Sequence, residues 1–235
     1  EFGGLHPFVP ADQAAGYLYI GSKNSPAKIA KVRLSDYTRV GSLTLASGEN
    51  DVGPAVVIDS ANGFMYLGTR TSPARVVKIR LSDFTRVGAI TLNSGENNLW
   101  AATLDAANGY AYFGARTSPG IVIKVRLSDF TRESALTLAS GENEVLGACT
   151  DSAAGHAYFG LQTYPGKVVK VRLSDFTKVG TLTFNTGEDR IRNAVIDAAN
   201  GFAYFGTRTS PGKVVRVKLS DFTRDAALTM NTGEN

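Results

Sequence analysis

The tripeptide Leu-Ser-Asp occurs five times, from Leu34, Leu81, Leu127, Leu173 and Leu219, in steps of 47, 46, 46 and 46 residues. Gly-Glu-Asn or Gly-Glu-Asp follows each copy, from Gly48, Gly95, Gly141, Gly187 and Gly233, in the same steps. A chain that repeats at a fixed period along its whole length folds as copies of one supersecondary unit. Each copy carries the same apolar faces and buries them only against its neighbours. Only a few residues at the front fall outside the pattern. The 235 residues therefore read as one domain, 1–235, with units at about 1–50, 51–97, 98–143, 144–189 and 190–235.

Within a copy the periodicity is that of β-strands. In the last one, Ala194-Val195-Ile196 is a short apolar run ending at Asp197-Ala198-Ala199-Asn200-Gly201, where Asn-Gly predicts a type I′ hairpin turn. Phe202 to Gly206 forms a second strand, broken by Thr209-Ser210-Pro211-Gly212. Lys213 to Leu219 forms a third, in which Val215 and Val217 alternate with Arg216 and Lys218, and Asp225 to Met230 forms a fourth. The first two strands are apolar on both faces, as in a sheet covered on both sides. Four antiparallel strands in a unit of this length make one propeller blade. The expected fold is thus all-β, a five-bladed β-propeller with four-stranded antiparallel blades. It is expected to close on itself as a monomeric ring by packing of blade five on blade one.

The hairpin Asn193 to Asp197 with Gly201 to Phe205, and the strand Lys-Val-Val-Arg-Val-Lys-Leu-Ser-Asp at 213–221, resemble the YVTN/NHL-type propeller repeat. The resemblance implies a fold rather than an activity, since that superfamily spans ligand-binding, protein-binding, surface-exposed and enzymatic members. Copy one departs from it. His6-Pro7-Phe8-Val9-Pro10 stands where the others have Ala-Val-Ile-like strands, and Pro10 lacks a ladder donor.

Several function classes are disfavoured by composition. No apolar run nears the roughly 20 residues that cross a bilayer, so no membrane insertion is expected. The 43% hydrophobic, 20% charged composition is that of a soluble globular chain, cytoplasmic or secreted or at the cell surface. Cys149 is the only cysteine and His6 and His156 the only histidines, which argues against a disulfide framework, a zinc site or a histidine triad. The Asp-x-x-x-Gly turns at Asp12, Asp59, Asp105, Asp151 and Asp197 offer one carboxylate each, too few for calcium, and read as turn aspartates. Neither metal nor cofactor is expected. The net charge of +4 is spread over loops that the five Gly-Glu loops offset, unlike a nucleic-acid surface. Arg70, Arg116 and Arg208 are expected to pair with Glu49, Glu96, Glu142, Glu188 and Glu234 across blade junctions.

Differences between nearly identical copies locate the candidate site. Asn98-Leu99-Trp100-Ala101 corresponds to Asp51-Val52-Gly53-Pro54, Glu144-Val145-Leu146-Gly147 and Arg190-Ile191-Arg192-Asn193, all entering innermost strands at one mouth of the channel. Trp100 offers a planar surface for a sugar or another flat group, with Glu144, Arg190 and Arg192 as directional partners. Gln162 and Tyr164, replacing the usual Arg and Ser, are a second sign. These six residues are the expected ligand site of a non-enzymatic ligand-binding or adhesive propeller with a carbohydrate or protein ligand. Three alternatives stand beside it. One is a protein-interaction scaffold. Another is an engineered repeat without natural function, against which the scattered differences between copies speak. The last is a glycoside hydrolase built on Asp51, Glu144 and Asp189, which lack a supporting motif.

Overall fold

A computed structural model describes Ala11, Asp12 and residues 15–234. It contains five four-stranded antiparallel sheets, each with its strands in chain order. The expected His6–Pro10 departure lies outside the described residues; Ala11–Asp12 is what is described of the first strand of blade one. The first strands of blades two to five, Val52–Asp59, Leu99–Asp105, Val145–Asp151 and Ile191–Asp197, pack against one another in succession and are therefore innermost. The second strands follow outward, for example Tyr110–Ala115 and His156–Leu161.

Two local expectations are corrected. Asp197 to Gly201 is a short 3-10 turn, Ala198–Asn200, in which only Gly201 takes a left-handed φ, +76°. A type I′ turn would need both central residues left-handed. Here Asp197 accepts from the Asn200 backbone N–H and closes a helical turn instead. The fourth strand also begins earlier than expected, at Thr223 rather than Asp225, because Thr223 pairs with Lys218 directly across the turn. The tip of that turn is an aromatic with positive φ: Tyr37, Phe84, Phe130, Phe176 and Phe222 lie at 52–54°. Such a backbone is uncommon for a bulky residue. In blades two to five the ring repays it by packing on a tyrosine of the preceding blade, in the pairs Tyr19–Phe84, Tyr66–Phe130, Tyr112–Phe176 and Tyr158–Phe222, with centroids 5.7–5.8 Å apart.

Each junction has a front face from one blade and a rear face from the next. A conserved glycine on the front face makes a slot for an apolar residue of the next first strand. A Cβ on Gly114 would lie 2.4 Å from Val145 Cγ1, and one on Gly160 2.3 Å from Ile191 Cγ2. At the rim, a buried glutamate closes its own loop and reaches the next blade. Glu96 accepts from the Asn93 backbone N–H at 3.0 Å and pairs with Arg132. The same arrangement joins Glu49 to Arg86 at 2.5 Å, Glu142 to Lys178 at 2.9 Å and Glu188 to Arg224 at 2.6 Å. A β-bulge lies beside each of these cations in the outer strand, such as the shift between Lys78 and Ile79 that leaves Val87 unpaired next to Arg86. The sequence expectation chose the wrong cations. Arg70 and Arg116 pair instead with Asp51 and Glu144, nearer the channel.

Ring closure is the main correction. Val195 on the front face of blade five is 64% exposed, whereas Val57, Thr103 and Cys149 at the same position are 5–8% exposed. Leu228 is 64% exposed, and Tyr37 on the rear of blade one is 78% exposed. Among the described residues the five blades leave these end faces uncovered, as an open arc rather than a self-closed ring. The number of blades does not by itself supply the rotation per blade that closure needs.

Gly114→Ala is expected to cost about 1–3 kcal/mol in urea unfolding, by overpacking the slot. Gly88→Ala, whose Cβ meets nothing within 4 Å, is expected to leave stability within about 0.5 kcal/mol. The junction glutamates also set an acid limit. The Arg224 hydrogen bond holds the Glu188 carboxyl below the usual range against desolvation. Its stabilisation is therefore complete above the unfolded carboxyl value of about 4.3 and is lost as pH falls through the lower folded value. Urea midpoints are expected to hold from neutral pH to about pH 5 and then fall. The decline should be shallower in Arg224→Ala.

Candidate functional site

The channel-mouth residues sit where the inner strands are irregular. The ladder skips Trp100 between Leu99 and Ala101, Leu146 between Val145 and Gly147, and Arg192 between Ile191 and Asn193. Each is the extra residue of a β-bulge, a device that turns a side chain out of the sheet's alternation. The residue before each strand is left-handed although none is glycine: Asp51, Asn98, Glu144 and Arg190 have φ of 51–58°. Their backbones are pinned by the neighbouring loop, since Arg116 and Gln162 donate backbone N–H groups to the carbonyls of Asn98 and Glu144 at 2.9 Å.

The six residues expected from the sequence fall into two contact groups: Trp100, Arg192, Glu144 and Gln162, joined through Arg116, and Arg190 with Tyr164. Trp100 Nε1 donates to Asn98 Oδ1 at 2.8 Å. Its ring lies beside three guanidiniums, with Arg70, Arg116 and Arg192 centred 4.6, 5.3 and 5.9 Å from the centroid. Glu144 receives Arg116 Nε at 2.6 Å and Gln162 Nε2 at 2.7 Å on one oxygen. Arg190 stands over the 68%-exposed Tyr164 ring at 5.2 Å. Arg70 and Arg116 are the members that sequence reasoning misplaced. Their signal was legible in hindsight, since blade four replaces the arginine with Gln162 next to Glu144.

The electrostatics are one-sided. Burial, followed by Arg208, Arg116 and Arg190, holds the Arg192 guanidinium below the ordinary arginine range, and Glu144 opposes them. Arg192 has no carboxylate ion pair among the described residues. The Nε atoms of Arg70, Arg190 and Arg192 are buried without a hydrogen-bond acceptor. An unpaired desolvated donor is costly, and an anion bearing several acceptor oxygens would satisfy it. The hydrolase alternative fares worse, because Asp51 and Glu144 are each engaged by an arginine. Cys149 is buried, and its burial together with Asp151 pushes its thiol up to about 12, away from nucleophilic use.

On the opposite rim, cavities of about 290 and 250 Å³ recur at successive junctions, walled by Asp59, Tyr66 and Lys78 and by Asp105, Tyr112 and Lys124. In each, a lysine Nζ stands 4.0 Å above an aromatic ring, Phe64 or Tyr110. They repeat with the blade, whereas the arginine mouth does not. Among the described residues no group of three or more His, Cys, Asp or Glu side chains is placed to hold a metal ion, and no helix is long and apolar enough to cross a membrane.

Solved structures match this arrangement of blades. A structure titled "Structure of U3-55K" superposes with a TM-score of 0.77 at 10% identity, covering 97% of this chain and 66% of that one. The fold is that of a β-propeller. The "Crystal structure of RRP9 WD40 repeats" superposes with a TM-score of 0.76 at 11% identity, over 97% of this chain and 65% of that one. The chain thus spans about two thirds of the length of each of those two chains. No family model and no curated protein sequence matches it.

Arg192→Met is expected to raise thermal stability by about 1 kcal/mol, because a cation crowded by other cations is removed. Sulfate is expected to stabilise the parent protein more than the variant at matched ionic strength, read as the shift in Tm.

Proposed function

We propose that this chain is a non-enzymatic protein-interaction propeller that holds an acidic segment of a partner at the arginine-rich mouth. The observation that carries the reading is Trp100 flanked by Arg70, Arg116 and Arg192, with the buried Nε of Arg192 lacking an acceptor. A carboxylate from a partner would complete that hydrogen bonding, and the half-buried tryptophan would supply apolar contact. WD40-repeat neighbours support a scaffold role by likeness of fold. A neutral sugar is a poorer fit, because the indole ring is already flanked by guanidiniums. The YVTN/NHL resemblance of the inner hairpin is compatible with this reading, since that superfamily includes protein-binding members.

Trp100 is the only tryptophan, so its fluorescence reports on the site directly. Titration with a fluorescein-free Glu/Asp-rich peptide is expected to give a saturable change that weakens with salt. Arg192→Ala should lower the affinity by about tenfold or more, as loss of a charge-assisted contact. A lysine-rich peptide should give no change. Equal binding to the parent protein and Arg192→Ala would overturn the proposal. Saturable binding to neutral glycans with none to the acidic peptide would return the site to the carbohydrate reading.

A further inference from the structure

The front face of blade five is an assembled junction half without its counterpart. At Gly206 the glycine slot that receives Leu99, Val145 or Ile191 elsewhere is entered only by the amide of Asn193 of the same blade, which accepts from the Gly206 N–H at 3.1 Å, and beside it lies a cavity of about 330 Å³ bounded by Gly212, Val214, Met230 and Glu234. The front-face valine position is fully buried in Val76, Val122 and Val168 but only partly in Val214. Tyr19, Tyr66, Tyr112 and Tyr158 are fully buried beneath an aromatic of the next blade, whereas Tyr204 has no such ring. Glu234 closes its own loop through Asn231 as the other glutamates do, yet among the described residues it meets no cation from a next blade.

Among the described residues blade one carries two groups that match it. Tyr37 occupies the position of Phe84 and Phe130, with the same left-handed backbone, but is 78% exposed. Arg39 occupies the position of Arg86 and Arg132 and has no carboxylate partner among the described residues. The unmatched groups are therefore Glu234 and Tyr204 on one end of the arc and Arg39 and Tyr37 on the other. These are the same pairings that hold the four internal junctions. Both ends stand open to solvent in one molecule, so the arc does not bring its own ends together.

We propose that the front face of blade five binds the rear face of blade one in a second copy of this chain, continuing the blade stack head to tail. Such a contact is heterologous and joins further copies in the same way unless the rotation closes. It adds a fifth junction of the kind the chain already makes four times.

Sedimentation velocity over an approximately hundredfold concentration range tests it, since head-to-tail association follows mass action. The parent chain is expected to shift from monomer to dimer and larger species. Val195→Lys, Arg39→Glu and Glu234→Arg should each remain monomeric, with unfolding midpoints near the parent value because all three positions are uncovered in the free chain. The double variant Arg39→Glu/Glu234→Arg should recover association, because the pair is restored with reversed sign. Oxidation of an Arg39→Cys/Glu234→Cys chain should give linked dimers. A parent chain that stays monomeric throughout, or a cysteine pair that links within one chain, would overturn the proposal, the latter showing a self-closed ring.

Discussion

At the four internal junctions the glutamate of the Gly-Glu loop holds the structure together in two directions at once. One carboxylate oxygen accepts a backbone N–H of its own loop, fixing the turn that ends the blade, as Glu142 does with Ala139. The same carboxylate faces a cation on the outer strand of the following blade, fixing the angle between them. These carboxylates are almost fully buried, with Glu49 at 0% and Glu188 at 3% exposure. A buried charge with satisfied partners is tolerated, and one without them is strongly destabilising. The loop, the bulge beside the cation and the junction therefore form only together. The glycine slots and tyrosine–aromatic pairs supply the apolar area that this geometry brings into contact.

Much of this was readable in the sequence because the repeat multiplies every signal. Five copies of the same spacing carried the strand count and the strand order, and the turn aspartates bond to local backbone as expected at Asp59 and Asp151. The misread details depend on things a linear pattern does not carry. The glutamate partners were assigned to the wrong arginines because the loops of Arg70 and Arg116 share a rim with the Gly-Glu loops, while the outer strand of the next blade brings Arg86 and Arg132 onto the glutamates. Closure was expected from the number of copies, but it depends on the rotation accumulated per blade.

The candidate site was legible for a different reason. Where copies are otherwise alike, variation marks positions released from the shared packing. Trp100, Gln162, Tyr164 and Arg192 all stood out in this way; the structure connects Trp100, Gln162 and Arg192 through Glu144 and Arg116, and pairs Tyr164 with Arg190. Invisible in the sequence was the surplus of positive charge at that mouth. The arginines belong to different blades and converge only when the inner strands are laid side by side.

In blades three to five the inner-strand bulge gives one residue that the sheet ladder passes over. Trp100, Leu146 and Arg192 occupy that place in three successive blades. Substitutions there leave slots, aromatic pairs and ion pairs untouched, so recognition can diversify while the architecture stays constant. Gene duplication of a blade would copy this socket together with the unit that carries it. Each added blade would then contribute one freely assignable side chain to a common rim, making the mouth a combinatorial surface written one letter per repeat.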